Sequence, residues 1–271
     1  MRTRALILIV NFLLALAACA TPAPAQQQAV NPVPVAASAA RTSALPAPPF
    51  GSGGYLTPVS LNLYRLLPPP PEAGSAQERA ELDELLHLQA TRTAAEVQRA
   101  QADATVSIFR FADALGNPPG FTPRALPLVA ELFERIGRDE GLFMNPAKDA
   151  FGRPRPFVTE KRLAPVVAMP PSASYPSGHT TWAICAAIVL SDMVPEMRAQ
   201  IFARADEYAH NREVGGVHYP SDVAAGHLAG TALAVELFDS PRFVADEVVA
   251  AGELREALGL APLPRHPLNQ H

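Results

Sequence analysis

The residue types best suited to chemistry lie in three short blocks in the second half of the chain. They are Lys148 with Arg155-Pro156, then Pro176-Ser177-Gly178-His179, and then Arg212 with His218 and Asp222. Together the blocks supply three cationic side chains, two imidazoles and one carboxylate. Cations hold an oxyanion through charge-assisted hydrogen bonds, one imidazole can attack it, and the other can protonate a leaving group. The blocks therefore predict a site for an oxyanion such as phosphate, and we expect neither a metal ion nor an organic cofactor in it.

The second block has the features of a helix start. Pro176 disfavours helical backbone just before it, Ser177 is a good N-cap, and Gly178 lets a ligand approach the backbone closely. The free N–H groups of such a first turn, together with the helix dipole, attract an anion. His179 would then stand beside that anion. The alternative is that Ser177 only caps a helix.

The third block combines a histidine with a carboxylate near another helix start. Pro220 suits the first turn of a helix, which places His218 just before the helix and Asp222 inside its first turn. A carboxylate on one ring nitrogen fixes the tautomer and leaves the other nitrogen as a nucleophile. Arg212 lies close by in sequence and can fork onto two oxyanion oxygens. The alternative is that Asp222 caps the helix and His218 is an ordinary loop histidine.

Two arginines compete for a place in the first block. Arg153-Pro154 stands directly before Arg155-Pro156, and both pairs follow Lys148 in a proline-rich stretch. Cations beside prolines are common on protein surfaces, so local chemistry alone does not decide which arginine belongs to the site.

The order and spacing of the blocks resemble the acid phosphatase signature of the type 2 phosphatidic acid phosphatase (PAP2) superfamily. That signature is Lys-x6-Arg-Pro, Pro-Ser-Gly-His and Ser-Arg-x5-His-x3-Asp, and its spacing selects Arg155 over Arg153. The one departure is Asn211, where the family has serine. The proline run from Leu66 to Pro71 before a long helix is similar to the exported bacterial class A non-specific acid phosphatases.

The resemblance implies a role for each matching residue. His218 would attack phosphorus and form a phosphohistidine, Asp222 would hold and polarise His218, and His179 would protonate the leaving alkoxide. The residues implied to bind phosphate oxygens are Lys148, Arg155, Ser177, Gly178 and Arg212. The implied reaction is metal-independent hydrolysis of phosphomonoesters. We expect a mildly acidic optimum, because one histidine must be neutral and the other charged.

Two other functions use the same residues. Vanadium haloperoxidases resemble this pattern, with the matching histidine bound to vanadate, but they carry longer insertions between the motifs. A non-catalytic envelope lipoprotein that binds phosphate or phospholipid headgroups is the second alternative. The presence of both histidines and of Asp222 argues against a protein that only binds.

The elements that position these blocks are predicted to be helices. One begins at a capping box at Ser75 and keeps near-helical spacing through Ala100, and the next would cover residues 104–114 and end before Pro118. Further helices are predicted over about 123–138, 177–193, 201–211, 220–238 and 241–258. The proline-rich stretch from Asn145 to Tyr175 is expected to be a loop. The predicted fold class is all-α, a compact helical domain of the PAP2 and vanadium haloperoxidase type with its site at helix N-termini and loops.

Composition limits the partners. The 271 residues are 48% hydrophobic and 18% charged with a net charge of -4, which is typical of one soluble domain. No basic stripe is evident, so nucleic acid is not an expected partner. The expected partners are small phosphorylated substrates, and the resemblance implies that a homo-oligomer is possible. The longest apolar run, from Thr181 to Leu190, is too short to cross a bilayer.

The N-terminus has the pattern of an export signal. Arg2 and Arg4 precede an apolar run, and a small-residue cleavage site follows at residues 23–25. Residues 16–19 also resemble a lipobox, in which Cys19 would carry a lipid anchor. The predicted organisation is a signal peptide over 1–25, an Ala/Pro linker over 26–50, the phosphatase-like domain over 51–262 and a tail over 263–271. The expected location is the periplasm.

Overall fold

The computed structural model describes Phe50 and residues 53–264. The predicted signal peptide (1–25), its lipobox, nearly all of the linker (26–50) and most of the tail (263–271) lie outside the described residues. Within the described part every regular element is helical, which confirms the all-α prediction. The α-helices there are α1 (Leu63–Leu66), α2 (Ala76–Thr91), α3 (Ala94–Ala102), α4 (Pro127–Phe151), α5 (Pro156–Thr159), α6 (Gly178–Met193), α7 (Arg198–Val214), α8 (Pro220–Phe238) and α9 (Pro241–Ala257). None of them combines the length and the apolar character needed to span a membrane.

Helix α6 lies at the centre of the domain. Most of its side chains are buried, and it contacts α4, α7, α8 and α9. A helix surrounded on all sides needs apolar or small residues around its whole circumference. Ala183, Ala186 and Ala187 meet this need and let neighbouring helices approach closely, because each is fully buried. The centre of the fold therefore holds the helix whose N-terminus carries Ser177 and Gly178.

Two glycines bring α8 against α6. A Cβ at Gly226 would lie 2.6 Å from Cβ of Thr180, and one at Gly230 would lie 2.5 Å from the Thr181 carbonyl oxygen. No side chain fits at either position, so the two backbones are in contact there. At the N-terminal ends of the helices, the N–H of Ser177 donates to the carbonyl of Asp222 at 3.0 Å. The glycines thus hold the second and third sequence blocks side by side.

Helix α4 is longer than predicted. The sequence suggested a helix over about 123–138 and a loop from Asn145 onwards, but α4 continues to Phe151 and contains Pro146. The helical stripe of buried residues continues through Met144 and Ala147, and this burial outweighs the missing N–H of the proline. Lys148 consequently sits in the last turn of a helix and not in a proline-rich loop.

The chain between α3 and α4 also differs from the prediction. The expected helix over 104–114 is replaced by two short 3₁₀ turns, Ile108–Phe111 and Asp113–Leu115. The long helix predicted from Ser75 is divided at Thr93, which starts α3 with a capping box to Glu96. Thr93 is a polar capping group inside an apolar pattern, so it divided the helix where hydrophobic spacing alone gave no signal.

Candidate active site

The predicted site residues come from different elements and meet at the N-terminal ends of α6 and α8. They are Lys148 in the last turn of α4, Arg155 before α5, Ser177, Gly178 and His179 at the start of α6, Arg212 near the end of α7, and His218 and Asp222 at the start of α8. Their charges act on one another, since the pKa of His218 is lowered by burial and then by the cations around it. The structure therefore brings together all eight residues.

His218 is held between a carboxylate and a guanidinium. Its Nδ1 lies 3.1 Å from Oδ2 of Asp222, and its Nε2 lies 2.8 Å from Nη1 of Arg155. An arginine can only donate, so Nε2 must accept and the ring proton must be on Nδ1. Burial and the neighbouring cations keep the pKa of His218 well below its usual range. The imidazole is thus neutral, with its lone pair on the side of the cations.

Asp222 is fixed by several donors and is completely buried. Its Oδ2 accepts from the Tyr219 N–H at 3.0 Å and from the Ser174 hydroxyl, as well as from His218. Its Oδ1 accepts from Nη1 of Arg153 at 2.7 Å. The Tyr219 contact is a helix-capping interaction, so Asp222 both caps α8 and orients His218.

Lys148 uses its ammonium group to fix the loop before α6. Its Nζ donates to the carbonyl oxygens of Ala173, Ser174 and Pro176 at 3.0, 3.2 and 2.6 Å. Burial, followed by the charge of Arg155, lowers the pKa of Lys148 to about 7. The lysine therefore places positive charge beneath the site while its three protons are engaged by backbone oxygens.

Arg155 is engaged in the same way. Its Nη1 donates to the Val217 carbonyl at 2.8 Å in addition to His218, and its Nε donates to the Ser172 carbonyl at 2.9 Å. Burial lowers the pKa of Arg155 to about 10. A phosphorus atom facing Nε2 of His218 would have to replace Nη1 of Arg155, which could then donate to a phosphate oxygen instead.

Arg212 is the cation with donors to spare. Arg212 is only 2% exposed, and neither its Nε nor its Nη1 has a hydrogen-bond partner among the described residues. Burial lowers the pKa of Arg212 to about 10. A buried donor without a partner costs about 1–3 kcal/mol, and more when it is charged. Arg212 consequently favours any anion that enters the site.

The N-terminus of α6 offers further donors. The Ser177 hydroxyl caps the helix by accepting from the Thr180 N–H at 3.4 Å and from its hydroxyl at 2.9 Å. No acceptor for the N–H groups of Gly178 and His179 exists within the described part of the chain. These two N–H groups and the helix dipole form an anion cradle next to Arg212 and His218.

His179 is neutral in the ligand-free site. Its Nε2 donates to the Ala104 carbonyl at 3.1 Å, which places the ring proton on that nitrogen. Burial, and then the charge of Arg212, lowers the pKa of His179 to about 4. A bound dianion would oppose the cations and raise this pKa. The charged His179 required of a proton donor is therefore expected only when an anion is present.

We expect sulfate, whose charge is constant in this range, to bind more tightly as the pH falls from about 6 to about 5. The bound anion raises the pKa of His179 above its ligand-free value of about 4, so binding takes up a proton. The affinity should rise by up to about tenfold per pH unit. Calorimetry of sulfate binding at several pH values measures this slope. A His179→Gln variant is the control and should show a smaller slope, whereas equal slopes in the two proteins would contradict the assignment.

Several residues around the site were given no role by the sequence. Arg153, the rejected competitor of Arg155, lies on Asp222, and its repeated Arg-Pro context was the only signal. Asn211, which departs from the family pattern, donates to Oδ2 of Asp103 at 2.8 Å and so ties α7 to the end of α3. No sequence signal pointed to Asp103 or to the Ser174 hydroxyl.

Glu140 is a second unforeseen group. Its Oε1 is buried without a hydrogen-bond partner in the described residues and lies 3.1 Å from where a Cβ of Gly178 would be. Burial raises the pKa of Glu140 to about 7, against the opposing charge of Lys148. A side chain larger than glycine at position 178 would have to push this carboxyl aside.

Comparisons with a family model and with known proteins agree on one family. The model of the PAP2 superfamily matches residues 138–244, which include all three blocks. The chain is 31% identical over 196 residues to a non-specific acid phosphatase of Providencia stuartii, covering 68% of this chain and 77% of that protein. It is 31% identical over 209 residues to an acid phosphatase of Zymomonas mobilis, covering 73% and 77%. A non-specific acid phosphatase of Salmonella typhimurium is 28% identical over 215 residues, covering 77% and 86%.

A solved structure shares the fold. The crystal structure of a bacterial vanadium-dependent iodoperoxidase has a TM-score of 0.50 with 19% sequence identity and covers 64% of this chain. The chain spans about half of that protein, 52% of its length. At this identity the likeness concerns the helical architecture alone.

Proposed function

The chain belongs to the PAP2 superfamily, and from this premise we propose that it is an acid phosphatase that hydrolyses phosphomonoesters through a phosphohistidine on His218, without a metal ion. The observation that carries the proposal is the state of His218. The ring is neutral, its Nδ1 is bonded to Asp222, and its Nε2 points to the cations. A nucleophilic nitrogen beside unsatisfied cationic donors suits attack on a bound phosphate.

Substrate binding uses the donors that have no partner in the resting site. Two non-bridging oxygens of the phosphate accept hydrogen bonds from Nε and Nη1 of Arg212. The third accepts from the N–H groups of Gly178 and His179. Nη1 of Arg155 leaves Nε2 of His218 and turns to the same phosphate. Phosphoryl transfer depends mainly on such positioning and charge stabilisation.

The first chemical step transfers the phosphoryl group to the enzyme. Nε2 of His218 forms a bond to phosphorus as the bond to the ester oxygen breaks. The leaving alkoxide takes a proton from His179, which the bound dianion has allowed to become charged. The positive charge that develops on His218 is stabilised by Asp222 through Nδ1. The product alcohol then departs and leaves the phosphohistidine.

The second step releases phosphate. His179, now neutral, takes a proton from a water molecule as that water attacks phosphorus and the bond to Nε2 breaks. Lys148, Arg155 and Arg212 supply the positive charge that metal ions provide in other phosphatases. This arrangement of three cations is the reason to propose a metal-independent reaction.

The proposal predicts the outcome of a substrate panel measured with EDTA and with vanadate. We expect hydrolysis of small phosphomonoesters at mildly acidic pH, unchanged by the chelator and blocked by vanadate, which imitates the transition state. The measurement is release of inorganic phosphate. Loss of activity with EDTA and recovery with zinc would contradict the metal-free mechanism. Oxidation of halide by added hydrogen peroxide in the presence of the vanadate-loaded protein would favour the haloperoxidase alternative. Phosphate binding without turnover would favour the non-catalytic one.

Export to the periplasm is also a proposal, which rests on Arg2, Arg4 and the apolar run that follows. Cys19 decides between a released and a lipid-anchored protein. Fractionation of cells that express the full chain with and without Cys19→Ser distinguishes the two.

A further inference from the structure

Arg153 lies on the side of Asp222 that faces away from His218. Its side chain is only 3% exposed. Its Nη1 donates to Oδ1 of Asp222 and to the Ser221 hydroxyl, both at 2.7 Å. Its guanidinium carbon is 3.7 Å from the centre of the Tyr219 ring, so the group is also held by a cation–π contact. These contacts therefore fix the guanidinium of Arg153 against Asp222.

Glu81 holds Arg153 from the opposite side. This residue is on α2, remote in sequence, and its Oε2 accepts from Nη2 of Arg153 at 2.9 Å. The same carboxylate accepts from the Ser221 hydroxyl at 2.9 Å and from the Ser221 N–H at 3.2 Å. Glu81, Arg153 and Asp222 thus form a chain of alternating charges that continues to the ring of His218.

Among the described side chains, Arg153 is the only cation that hydrogen-bonds Asp222. The charged and titratable groups that surround Asp222 are Lys148 of α4, Arg153 and Arg155 before α5, Tyr175 before α6, His218 and Tyr219 at the start of α8, and Glu81 of α2 behind Arg153. Lys148 and Arg155 act on Asp222 only through space, and the donors of Lys148 are engaged by backbone oxygens. A completely buried carboxylate requires a bonded counter-charge, and Arg153 supplies it.

We propose that Arg153, held in place by Glu81, is a positioning residue of the reaction: it fixes the Asp222 carboxylate, so that Asp222 holds Nδ1 of His218 and Nε2 faces phosphorus. The inference rests on the proposed function, because it assigns Arg153 to the same reaction. It adds a residue outside the matched signature, whose arginines are Arg155 and Arg212.

The proposal follows from what happens when the guanidinium is absent. Oδ1 of Asp222 would then lose its charge-assisted hydrogen bond, and the buried carboxylate could turn toward its remaining donors, the Tyr219 N–H and the Ser174 hydroxyl. Its hydrogen bond to Nδ1 of His218 would weaken, although Arg155 still keeps the lone pair on Nε2 in the resting site. Asp222 would then hold the ring less firmly and would stabilise less of the positive charge that develops on His218 during phosphoryl transfer.

The experiment compares Arg153→Met, Arg153→Gln and Arg153→Lys with the parent enzyme. Loss of the cation in the Met and Gln variants should lower kcat by about 100-fold, because Asp222 no longer holds and stabilises the ring of His218 in the transition state. KM should change by less than about threefold, since the phosphate-facing donors are intact. The Lys variant keeps the charge and should recover most of the rate.

Arg255→Met is the matched control. Arg255 is likewise a buried arginine with several partners, the Met193 and Ala261 carbonyl oxygens and Glu196, but it lies on α9 away from the site. This variant should lose stability and keep the parent kcat and pH profile. If Arg153→Met behaves in the same way, Arg153 is only structural and the proposal is overturned. If Arg153→Met does not fold, Arg153→Gln, which preserves hydrogen bonding without the charge, decides the question by the same criteria.

A second measurement does not depend on turnover. Nitrogen-15 NMR of the imidazole of His218 reports which ring nitrogen carries the proton. Both proteins should show protonated Nδ1, because Arg155 remains on Nε2, but the signals of that N–H should shift in the Arg153→Gln variant as its hydrogen bond to Asp222 weakens. Identical Nδ1–H signals in the two proteins would overturn the proposal. If the parent enzyme hydrolyses no phosphomonoester, the proposed function fails, but this spectrum still tests the link from Arg153 to His218.

Discussion

Replacement of His218 by alanine is expected to lower kcat by about 10⁴-fold or more, because a covalent mechanism loses its nucleophile. Folding should survive, since the change removes a neutral ring and leaves Asp222 bonded to Arg153, Ser174 and the Tyr219 N–H. Initial rates with a small phosphomonoester measure the effect. Added imidazole can enter the vacated space and should restore part of the rate, with transfer of phosphate to the free imidazole.

His227→Ala is the control for this substitution. His227 is on the same helix, α8, but its side chain is 39% exposed and its nearest charged neighbour is Asp206 at 4.0 Å. Its removal should leave kcat within about twofold of the parent value. Rapid acid-free quenching should trap a phosphorylated enzyme in the parent protein and in His227→Ala, and none in His218→Ala. A His218→Ala variant that keeps a substantial rate, or is labelled as strongly as the parent, would contradict the assignment of the nucleophile.

Replacement of Arg212 by methionine is expected to separate activity from stability. The value of kcat/KM should fall by about 10³-fold, because the forked donor that meets the phosphate is lost. In the absence of ligand the melting temperature should be unchanged or higher, since a buried guanidinium with unpartnered Nε and Nη1 is removed. Phosphate is expected to raise the melting temperature of the parent protein by binding its native state, and it should not raise that of Arg212→Met.

Arg204→Met is the matched control on the same helix. Arg204 is also buried, but it is paired with carboxylates: Nη2 contacts Asp103 at 2.5 Å, Nη1 lies 3.3 Å from Glu207, and Nε contacts the Arg110 carbonyl at 3.1 Å. This variant should melt at a lower temperature and keep kcat/KM in the folded protein, which is the opposite of Arg212→Met. If Arg212→Met melts lower and retains the stabilisation by phosphate, Arg212 is structural and does not bind the anion.

The sequence predicted the central helices well because their ends carry local chemical signals. Ser177 begins α6 and Pro220 begins α8, at the positions where a capping hydroxyl and a first-turn proline are favoured. The start of α9 at Pro241 follows the same rule. Local signals of this kind act within a few residues, so they can be found without knowledge of the fold.

The errors in α4 and in residues 104–114 have the opposite origin, because tertiary contacts decided those segments. Helix α4 passes through Pro146, since buried residues on either side of the proline stabilise it against α6. The stretch from residue 104 to 114 leaves helical geometry around Asp103, whose carboxylate binds Arg204 and Asn211 of α7. These partners are about a hundred residues away in the chain and give no local pattern.

The candidate site shows the same division. His218 and Asp222 lie four residues apart, so their contact could be anticipated from the helix start between them. The roles of Arg155 and Arg153 could not be separated by local chemistry, because both precede prolines. In the structure both reach the site, Arg153 at Asp222 and Arg155 at His218. Glu140 could not be predicted at all, since its burial depends on how α4 crosses the first turn of α6.

The contact of Gly226 and Gly230 with α6 has a consequence for how this catalyst tolerates change. The two glycines carry no chemistry, yet they set the gap between the helix start that cradles the anion and the one that orients the nucleophile. A methyl group at either position would push α8 away from α6. The anion-binding and nucleophilic groups at the starts of these helices must keep their relative positions within fractions of an ångström. The precision of the active site therefore depends on two glycines that a search for reactive groups would not select.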